Sequence, residues 1–197
     1  MKDTPQPEHG FLRRCWISFR SPSARWGFGA ILLGGGVAAL VLWGGFTAGL
    51  AYTNTTEFCI SCHEMADNVG QEWMQSPHFK NPSGVRAGCP DCHVPRALGP
   101  KLWRKIQAAN DVYHHLLGTI DTPEKFKEHR AELAERVWAR MEANDSANCR
   151  HCHSYDAMDF HKQTLRAQEK MKEGLDEGKT CIECHKGIAH KRPPRDD

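Results

Sequence analysis

The chain has 197 residues, with 26 Lys and Arg against 24 Asp and Glu, and a formal net charge of +2. This near balance argues against nucleic acid or another polyanion as a partner. The chain contains nine cysteines and twelve histidines, and its mean hydropathy of −0.61 is too polar for an interior made only of apolar side chains. Its length allows one small domain and an anchor.

Residues 1–25 form a basic leader. It contains Lys2 and four arginines but only two acidic residues, Asp3 and Glu8. By the positive-inside rule, this excess of positive charge predicts that the leader lies in the cytoplasm. Cys15, which belongs to no motif, is predicted to be a reduced thiol on that side.

Residues 26–54 are predicted to form a single transmembrane signal anchor. Residues 27–52 are uncharged and would form a helix of about 39 Å, longer than the hydrocarbon core of about 30 Å. A cleavable signal peptide is the alternative, but the stretch is long for one and lacks a clear cleavage site. Gly45 and Gly49 form a Gly-x-x-x-Gly pair, which would suit a homodimer of such helices.

Four copies of the motif Cys-x-x-Cys-His follow the anchor. Their cysteines are Cys59 and Cys62, Cys89 and Cys92, Cys149 and Cys152, and Cys181 and Cys184. This pattern is typical of c-type haem, in which both thiols bond the porphyrin and the histidine faces the iron. A redox dithiol or a pair of zinc ribbons would leave four adjacent histidines unexplained. The sequence therefore predicts four covalently bound haems, whose apolar faces supply the missing interior.

Haem attachment of this kind takes place outside the bacterial inner membrane, so residues 55–197 are predicted to be a periplasmic tetrahaem domain. Each iron needs two axial ligands, and two imidazoles are usual in a low-spin electron carrier. The predicted proximal ligands are His93, His153 and His185.

Two histidines outside the motifs are candidate distal ligands. His78 lies in a loop before the second motif and is either a ligand of a haem other than its neighbour or a solvated loop histidine. His190 lies only five residues after His185, so it cannot easily reach the far face of the same haem. We therefore assign His190 to a different haem.

Apolar residues recur with helical spacing between Lys101 and Leu117, which predicts an amphipathic helix. Arg104 and Asp111 are seven residues apart and share a face, whereas Lys105 is turned about a third of a turn away from Asp111. A basic and an acidic group near a membrane-side haem would suit a quinol head group and its protons. A solvated helix face is the alternative.

Thr122 and Pro123 predict the start of another helix, with the threonine as its N-cap. It is predicted to run to about Ala143. His129 falls beside its apolar stripe and is either a buried ligand or a satisfied core histidine. A later segment of helical composition, residues 159–176, carries His161.

Several of these motifs resemble those of the NapC/NirT family of membrane-anchored tetrahaem quinol dehydrogenases. Besides the anchor and the haem motifs, the similar segments are Cys89 to Pro95, Asp111 to Tyr113, Asp145 to Ser146, Met158 to Phe160, and Cys184 to His190. The resemblance covers nearly the whole chain. The predicted fold is mainly α, with one N-terminal transmembrane helix and a small haem-packed multihaem cytochrome c domain with little regular strand.

The resemblance also implies roles for residues around the first haem. In the family, a methionine two residues after the motif histidine takes an axial position, which points to Met65, with His63 as the alternative. A thioether ligand raises the potential of a haem relative to a second imidazole. The family's quinol site uses an aspartate, matched by Asp111, and a lysine, for which counting along the chain gives either Lys105 or Arg104.

For the other haems, the resemblance implies distal ligands. His78 resembles the distal ligand of the third haem, and His190 resembles that of the second. For the fourth haem, His129 is the first candidate, and His114 and His161 are the second choices.

The function implied is electron transfer from menaquinol or ubiquinol at the inner membrane, through four haems, to a soluble periplasmic reductase. Nitrate reductase is the expected partner, and a nitrite reductase or another periplasmic reductase is the alternative. Whether the chain counts as an enzyme depends on quinol oxidation. Two other classes remain as rivals: a terminal reductase with its own substrate pocket, and a haem-bearing anchor that does not oxidise quinol.

The haem prediction is tested on the protein purified from membranes. We expect a Soret band, and a haem-to-protein ratio of four that survives denaturation because thioether bonds hold each haem. Replacement of Cys149 and Cys152 by serine should lower the ratio to three. A spectrum without a Soret band would exclude c-type haem.

Overall fold

The computed structural model of the protein describes residues 10–20 and 25–194. Lys2, Asp3 and Glu8 of the basic leader lie outside the described residues, and so does the side chain of Cys15. The chain divides into two compact units, Met1–Gly49 and Leu50–Asp197.

The first unit contains helix α1 (Phe11–Arg20) and most of helix α2 (Phe28–Tyr52). With 25 residues, α2 is about 37 Å long. It has no buried residue, and it is the one helix among the described residues that is long and apolar enough to cross a membrane. The prediction of one N-terminal apolar helix is confirmed. Gly45 lies on α2 with open space around it, and pairing through it stays a prediction.

The second unit is helical, and no strand occurs within residues 50–194. Its α-helices are α3 (Thr56–Cys59), α4 (Gln71–Met74), α5 (Cys89–His93), α6 (Leu98–Leu116), α7 (Pro123–Ala143), α8 (Ala147–Arg150), α9 (Leu165–Asp176) and α10 (Cys181–Cys184). A π-helical turn, Met65–Gly70, precedes α4, and two 3-10 turns, Tyr155–Ala157 and Phe160–Lys162, precede α9. The prediction of a mainly α fold is confirmed.

The second and fourth cysteine motifs lie on short helices, α5 and α10, because local hydrogen bonds close single helical turns there. The backbone N–H of Gly88 donates to the Asp91 carboxylate at 2.8 Å, and that of Thr180 donates to the Glu183 carboxylate at 2.6 Å. Each carboxylate thus satisfies an N–H group at the start of its helix. One helical turn places residues three apart on the same side, so both thiols of a motif face the same way.

The long helices follow the predicted pattern with three differences. Helix α7 begins at Pro123, and the Thr122 hydroxyl accepts a hydrogen bond from the Lys125 N–H, as predicted. Helix α6 begins at Leu98, three residues earlier than predicted. Residues 159–176 are not one helix, because Thr164 caps α9 through the Ala167 N–H and separates it from the 3-10 turn that carries His161.

The third difference concerns the apolar face of α6, which is not buried by protein. Ile106, Tyr113 and Leu116 are all more than half exposed. Among the described residues, the large apolar side chains that are buried are Trp73, Phe126 and Ile182. Three side chains are a small core for a unit of this length. Most of the apolar surface in this unit is therefore available to bound cofactors.

Ser146 joins two of the cysteine motifs and gives a test of the fold. It is the most completely buried side chain described, with 1% exposure, and its hydroxyl accepts a hydrogen bond from the Ile182 N–H at 3.1 Å. In Ser146→Ala, that buried N–H loses its partner, which should cost about 1–3 kcal/mol and lower the melting temperature by several degrees. Thermal unfolding in detergent measures this.

The matched control is Ser154→Ala, because Ser154 is exposed and its side chain caps no helix. An equal loss of stability in both variants would show that the bond to Ile182 contributes nothing.

Candidate haem sites and their axial ligands

Four long-range hydrogen bonds join consecutive cysteine motifs. The Cys89 N–H donates to the Thr56 hydroxyl at 3.1 Å, which links the first motif to the second. The Asn148 amide donates to the carbonyl groups of Asp91 and Val94 at 2.8 and 3.0 Å, which links the second to the third. The bond between Ser146 and Ile182 links the third to the fourth. The four attachment sites thus follow one another in the order of the chain.

Thiol contacts repeat this order. Cys59 and Cys89, from the first and second motifs, form a side-chain hydrogen bond that lowers the pKa of Cys89 to about 7 and, with burial, raises the pKa of Cys59. Burial raises the pKa of Cys92 to about 11, and the nearby Cys149 of the third motif adds to this effect. These contacts place neighbouring attachment sites side by side.

Two pairs of imidazole rings face each other at the separation that one metal ion requires. The ring centres of His93 and His190 are 6.1 Å apart, and those of His78 and His153 are 6.2 Å apart. Two metal–nitrogen bonds of about 2 Å each, together with two ring radii, give about 6 Å between ring centres. Both pairs therefore fit a bis-imidazole iron site.

The chemistry of these imidazoles also fits metal binding. Burial, with a smaller effect of His190, lowers the pKa of His93 to about 4. Burial also lowers the pKa values of His78 and His190. The rings of His93, His78 and His190 are thus neutral near pH 7, the form that binds a metal.

Two of these rings have a buried nitrogen atom that no standard hydrogen bond holds among the described residues. The Nδ1 atoms of His78 and His190 are buried without a hydrogen bond of standard geometry among the described residues, although the Ile188 and Val69 carbonyl groups lie nearby. At these two atoms, no standard hydrogen bond among the described residues competes with ligation of the rings.

The first motif has a third histidine pair that was not predicted. The ring centres of His63 and His115 are 5.9 Å apart, and the buried carboxylate of Glu64 lies between the two rings. It accepts a hydrogen bond from His115 Nδ1 at 2.6 Å and lies 3.4 Å from His63 Nε2. His115 is 51 residues from Glu64 in the chain, so no local pattern indicated the contact.

Met65, the predicted axial ligand of the first haem, begins the π-helical turn and is partly buried. Gly70 ends this turn, and a Cβ atom there would lie 2.8 Å from the Met65 carbonyl oxygen. The wide turn therefore requires glycine. Turns of this type are frequent at functional sites. The choice between Met65 and His63 stays a prediction.

The fourth motif differs from the others. Within residues 25–194, no imidazole pairs with His185 as the rings do at the second and third motifs. His129 is 44% exposed and lies 3.6 Å from Glu132, His114 bonds to Thr119, and His161 is exposed. The structure brings none of the three candidates to His185, and their roles stay predictions.

Helix α6 separates the predicted quinol-site residues. Arg104 Nη2 lies 3.3 Å from the carboxylate of Asp111, which is more than half exposed. Arg104 also lines a cavity of about 260 Å³ that contains Cys92, His93 and Arg140. Lys105 instead donates to the carbonyl group of Thr53, directly after the apolar helix α2. Burial lowers its pKa.

Four Cys-x-x-Cys-His motifs joined by hydrogen bonds, paired imidazole rings and an apolar N-terminal helix define a class of protein. It is a multihaem c-type cytochrome with an N-terminal membrane anchor.

Comparisons with known proteins agree with this class and identify the family. Residues 21–195 match the sequence model of the NapC/NirT cytochrome c family, N-terminal region. The chain therefore belongs to the NapC/NirT cytochrome c family, whose members are membrane cytochromes with covalently bound haem that transfer electrons.

Two relatives and one solved structure illustrate the match. The cytochrome c-type protein NapC of Escherichia coli K12 is 49% identical over 184 residues, or 93% of this chain and 92% of that one. The denitrification system component NirT of Stutzerimonas stutzeri is 51% identical over 174 residues, or 88% and 87%. A chain of the cytochrome c nitrite reductase NrfHA complex bound to the HQNO inhibitor is 25% identical with a TM-score of 0.47, covering 84% and 93%.

The contact between His115 and Glu64 predicts a pH-dependent contribution to stability. Burial opposes ionisation of Glu64, but the hydrogen bond from His115 keeps the pKa of the carboxyl group below its usual 4.5. The contribution is therefore complete above pH 4.5 and is lost as the pH falls through the lowered value. His115→Ala should cost about 1–3 kcal/mol at pH 7, because it removes a partner of a buried carboxylate.

Thermal unfolding at pH 7 and at pH 4 measures both effects, and Asn110→Ala, on the exposed side of α6, is the control. Equal stability of the two variants at pH 7 would contradict the prediction.

Proposed function

We propose that the protein oxidises a membrane quinol and passes the electrons along its haems to a soluble periplasmic reductase. The observation that carries this proposal is the ordered contact of consecutive cysteine motifs, beginning a few residues after the membrane helix. When bound, the four haems would carry single electrons between neighbouring sites.

The entry point for electrons is proposed at α6. Asp111 is exposed and ion-paired to Arg104, so its carboxylate is available to accept protons from a quinol. Lys105 lies beside the Thr53 carbonyl, where the membrane helix has just ended, and its ammonium group would bind the head group. Burial of this lysine strengthens its interactions with polar groups.

The axial ligands proposed for the iron atoms follow from the imidazole pairs. His93 and His190 would hold the second haem, and His153 and His78 the third. Met65 or His63 would bind the first, and His185 the fourth, with His129 as its first distal candidate.

The topology is proposed from the sequence. Residues 1–25 would lie in the cytoplasm, 26–54 would cross the inner membrane once, and 55–197 would form the periplasmic haem domain. Menaquinol and ubiquinol both fit, since the proposed contacts are to the head group.

Nitrate reductase is the proposed partner, because matches to NapC proteins recur among the relatives. Similar identity to NirT and TorC proteins favours a nitrite reductase or another periplasmic reductase as the second candidate.

The experiment is anaerobic reduction of the full-length protein in nanodiscs by menaquinol and ubiquinol analogues, followed by addition of periplasmic nitrate reductase and nitrate. We expect reduction of the haems by quinol, and reoxidation only after the reductase is added. Asp111→Asn should lower the maximal rate of reduction roughly 100-fold, because proton acceptance is lost. Lys105→Gln should instead raise the half-saturating quinol concentration.

Lys127→Gln, an exposed change on α7, is the control. A protein that no quinol reduces would be a haem-bearing anchor, and one that turns over nitrite or nitrate without a partner would be a terminal reductase.

A further inference from the structure

The side chains of Glu72 and Arg130, which are largely shielded from water, form a cluster with the main chain of Lys191. Arg130 Nη2 lies 2.6 Å from Glu72 Oε2 and donates to the Lys191 carbonyl at 2.6 Å. Its Nε atom donates to the same carbonyl at 3.2 Å. The Lys191 N–H donates to Glu72 Oε2 at 3.0 Å. Both main-chain polar groups of Lys191 are therefore held by one ion pair.

This ion pair differs from the others on α7. The side chains of Glu72 and Arg130 are 13% and 15% exposed, whereas those of Arg136 and Glu132 are 60% and 55% exposed. Exposed pairs contribute little to stability, because water screens them. A shielded pair with additional hydrogen bonds fixes its partners more firmly, since breaking it leaves charges with few contacts to water.

The segment that contains Lys191 has no helix of its own. Helix α10 ends at Cys184, and residues 191–194 belong to no helix. Gly187, with a φ angle of +88°, turns the chain, and the Arg192 side chain packs against this turn and donates to the Lys186 carbonyl. The Glu72–Arg130 pair thus connects the end of the chain to α4 and α7.

The residue directly before Lys191 is His190. Its ring faces His93 at 6.1 Å, and its Nδ1 atom lies 4.0 Å from Glu72 Oε2. The cluster therefore holds the main chain directly after His190 and lies next to the imidazole ring.

We propose that Glu72 and Arg130 are positioning residues that hold His190 on the distal side of the second haem. The inference rests on the proposed pairing of His93 and His190. Without the ion pair, the main chain of Lys191 would lose its hydrogen bonds to α4 and α7, and the imidazole would leave the iron for part of the time. The positions around metal ligands commonly set ligand geometry in this way.

The geometry of these hydrogen bonds requires an arginine at position 130. One guanidinium donates from two nitrogen atoms to the Lys191 carbonyl while it pairs with Glu72, a combination that the single ammonium group of lysine cannot match. Arg130→Lys should therefore disturb the position of His190 less than Arg130→Ala does. Likewise, Glu72→Gln should disturb it less than Glu72→Ala does.

The test uses full-length protein purified from membranes with all haems attached, and low-temperature electron paramagnetic resonance of the oxidised form. In Glu72→Ala and Arg130→Ala, we expect part of one low-spin haem signal to be replaced by a high-spin signal. Added imidazole should restore the low-spin form, because it binds an iron that has lost its ligand. A merely structural effect would not respond to imidazole.

Arg136→Ala, which breaks the exposed pair on the same helix, is the control and should keep the wild-type spectrum. His190→Ala is the reference and should show the full loss of one low-spin signal. If His190→Ala leaves the spectrum unchanged, the pairing of His93 and His190 is wrong. If His190→Ala shows the loss but Glu72→Ala and Arg130→Ala match the wild type, the positioning role is wrong.

Discussion

Hydrogen bonds between consecutive cysteine motifs are the constraint on which the second unit of this protein depends. Each one joins a side chain of one motif region to the main chain of a neighbouring one: Thr56 to Cys89, Asn148 to Asp91 and Val94, and Ser146 to Ile182. With three large apolar side chains buried in the described part of the chain, ordinary packing is too sparse to set these distances. Directional polar contacts fix the spacing of the attachment sites, and electron transfer between neighbouring sites depends on that spacing.

Local features of the fold were predictable because interactions between residues close in sequence determine them. The apolar run needed only its length and lack of charge, and the Thr122 cap needed only the residues beside it. The cysteine motifs are likewise local, since each of them spans only five residues. The break at Thr164 was missed because an average helical composition over residues 159–176 hid a strong N-cap.

Long-range features were less predictable from one sequence. The pairs His93–His190 and His78–His153 contain the two histidines that the family resemblance implies as distal ligands, a role that stays a prediction, and their separations could only come from the structure. The contact between His115 and Glu64 spans 51 residues and had no periodic signal. Lys105 and Arg104 are adjacent in sequence, yet they contact different parts of the protein, because neighbours on a helix point about 100° apart. His129 was predicted to be buried, but protein atoms alone leave it 44% exposed.

The small protein core has a consequence for biogenesis. A chain that buries so few of its own apolar side chains gains little free energy from collapse alone. As in small metalloproteins, cofactor attachment then supplies much of the folding free energy. Newly made chains should stay open, and sensitive to proteases, until haem attachment is complete. The cell's supply of haem, rather than the folding rate of the polypeptide, would then limit how much mature protein accumulates.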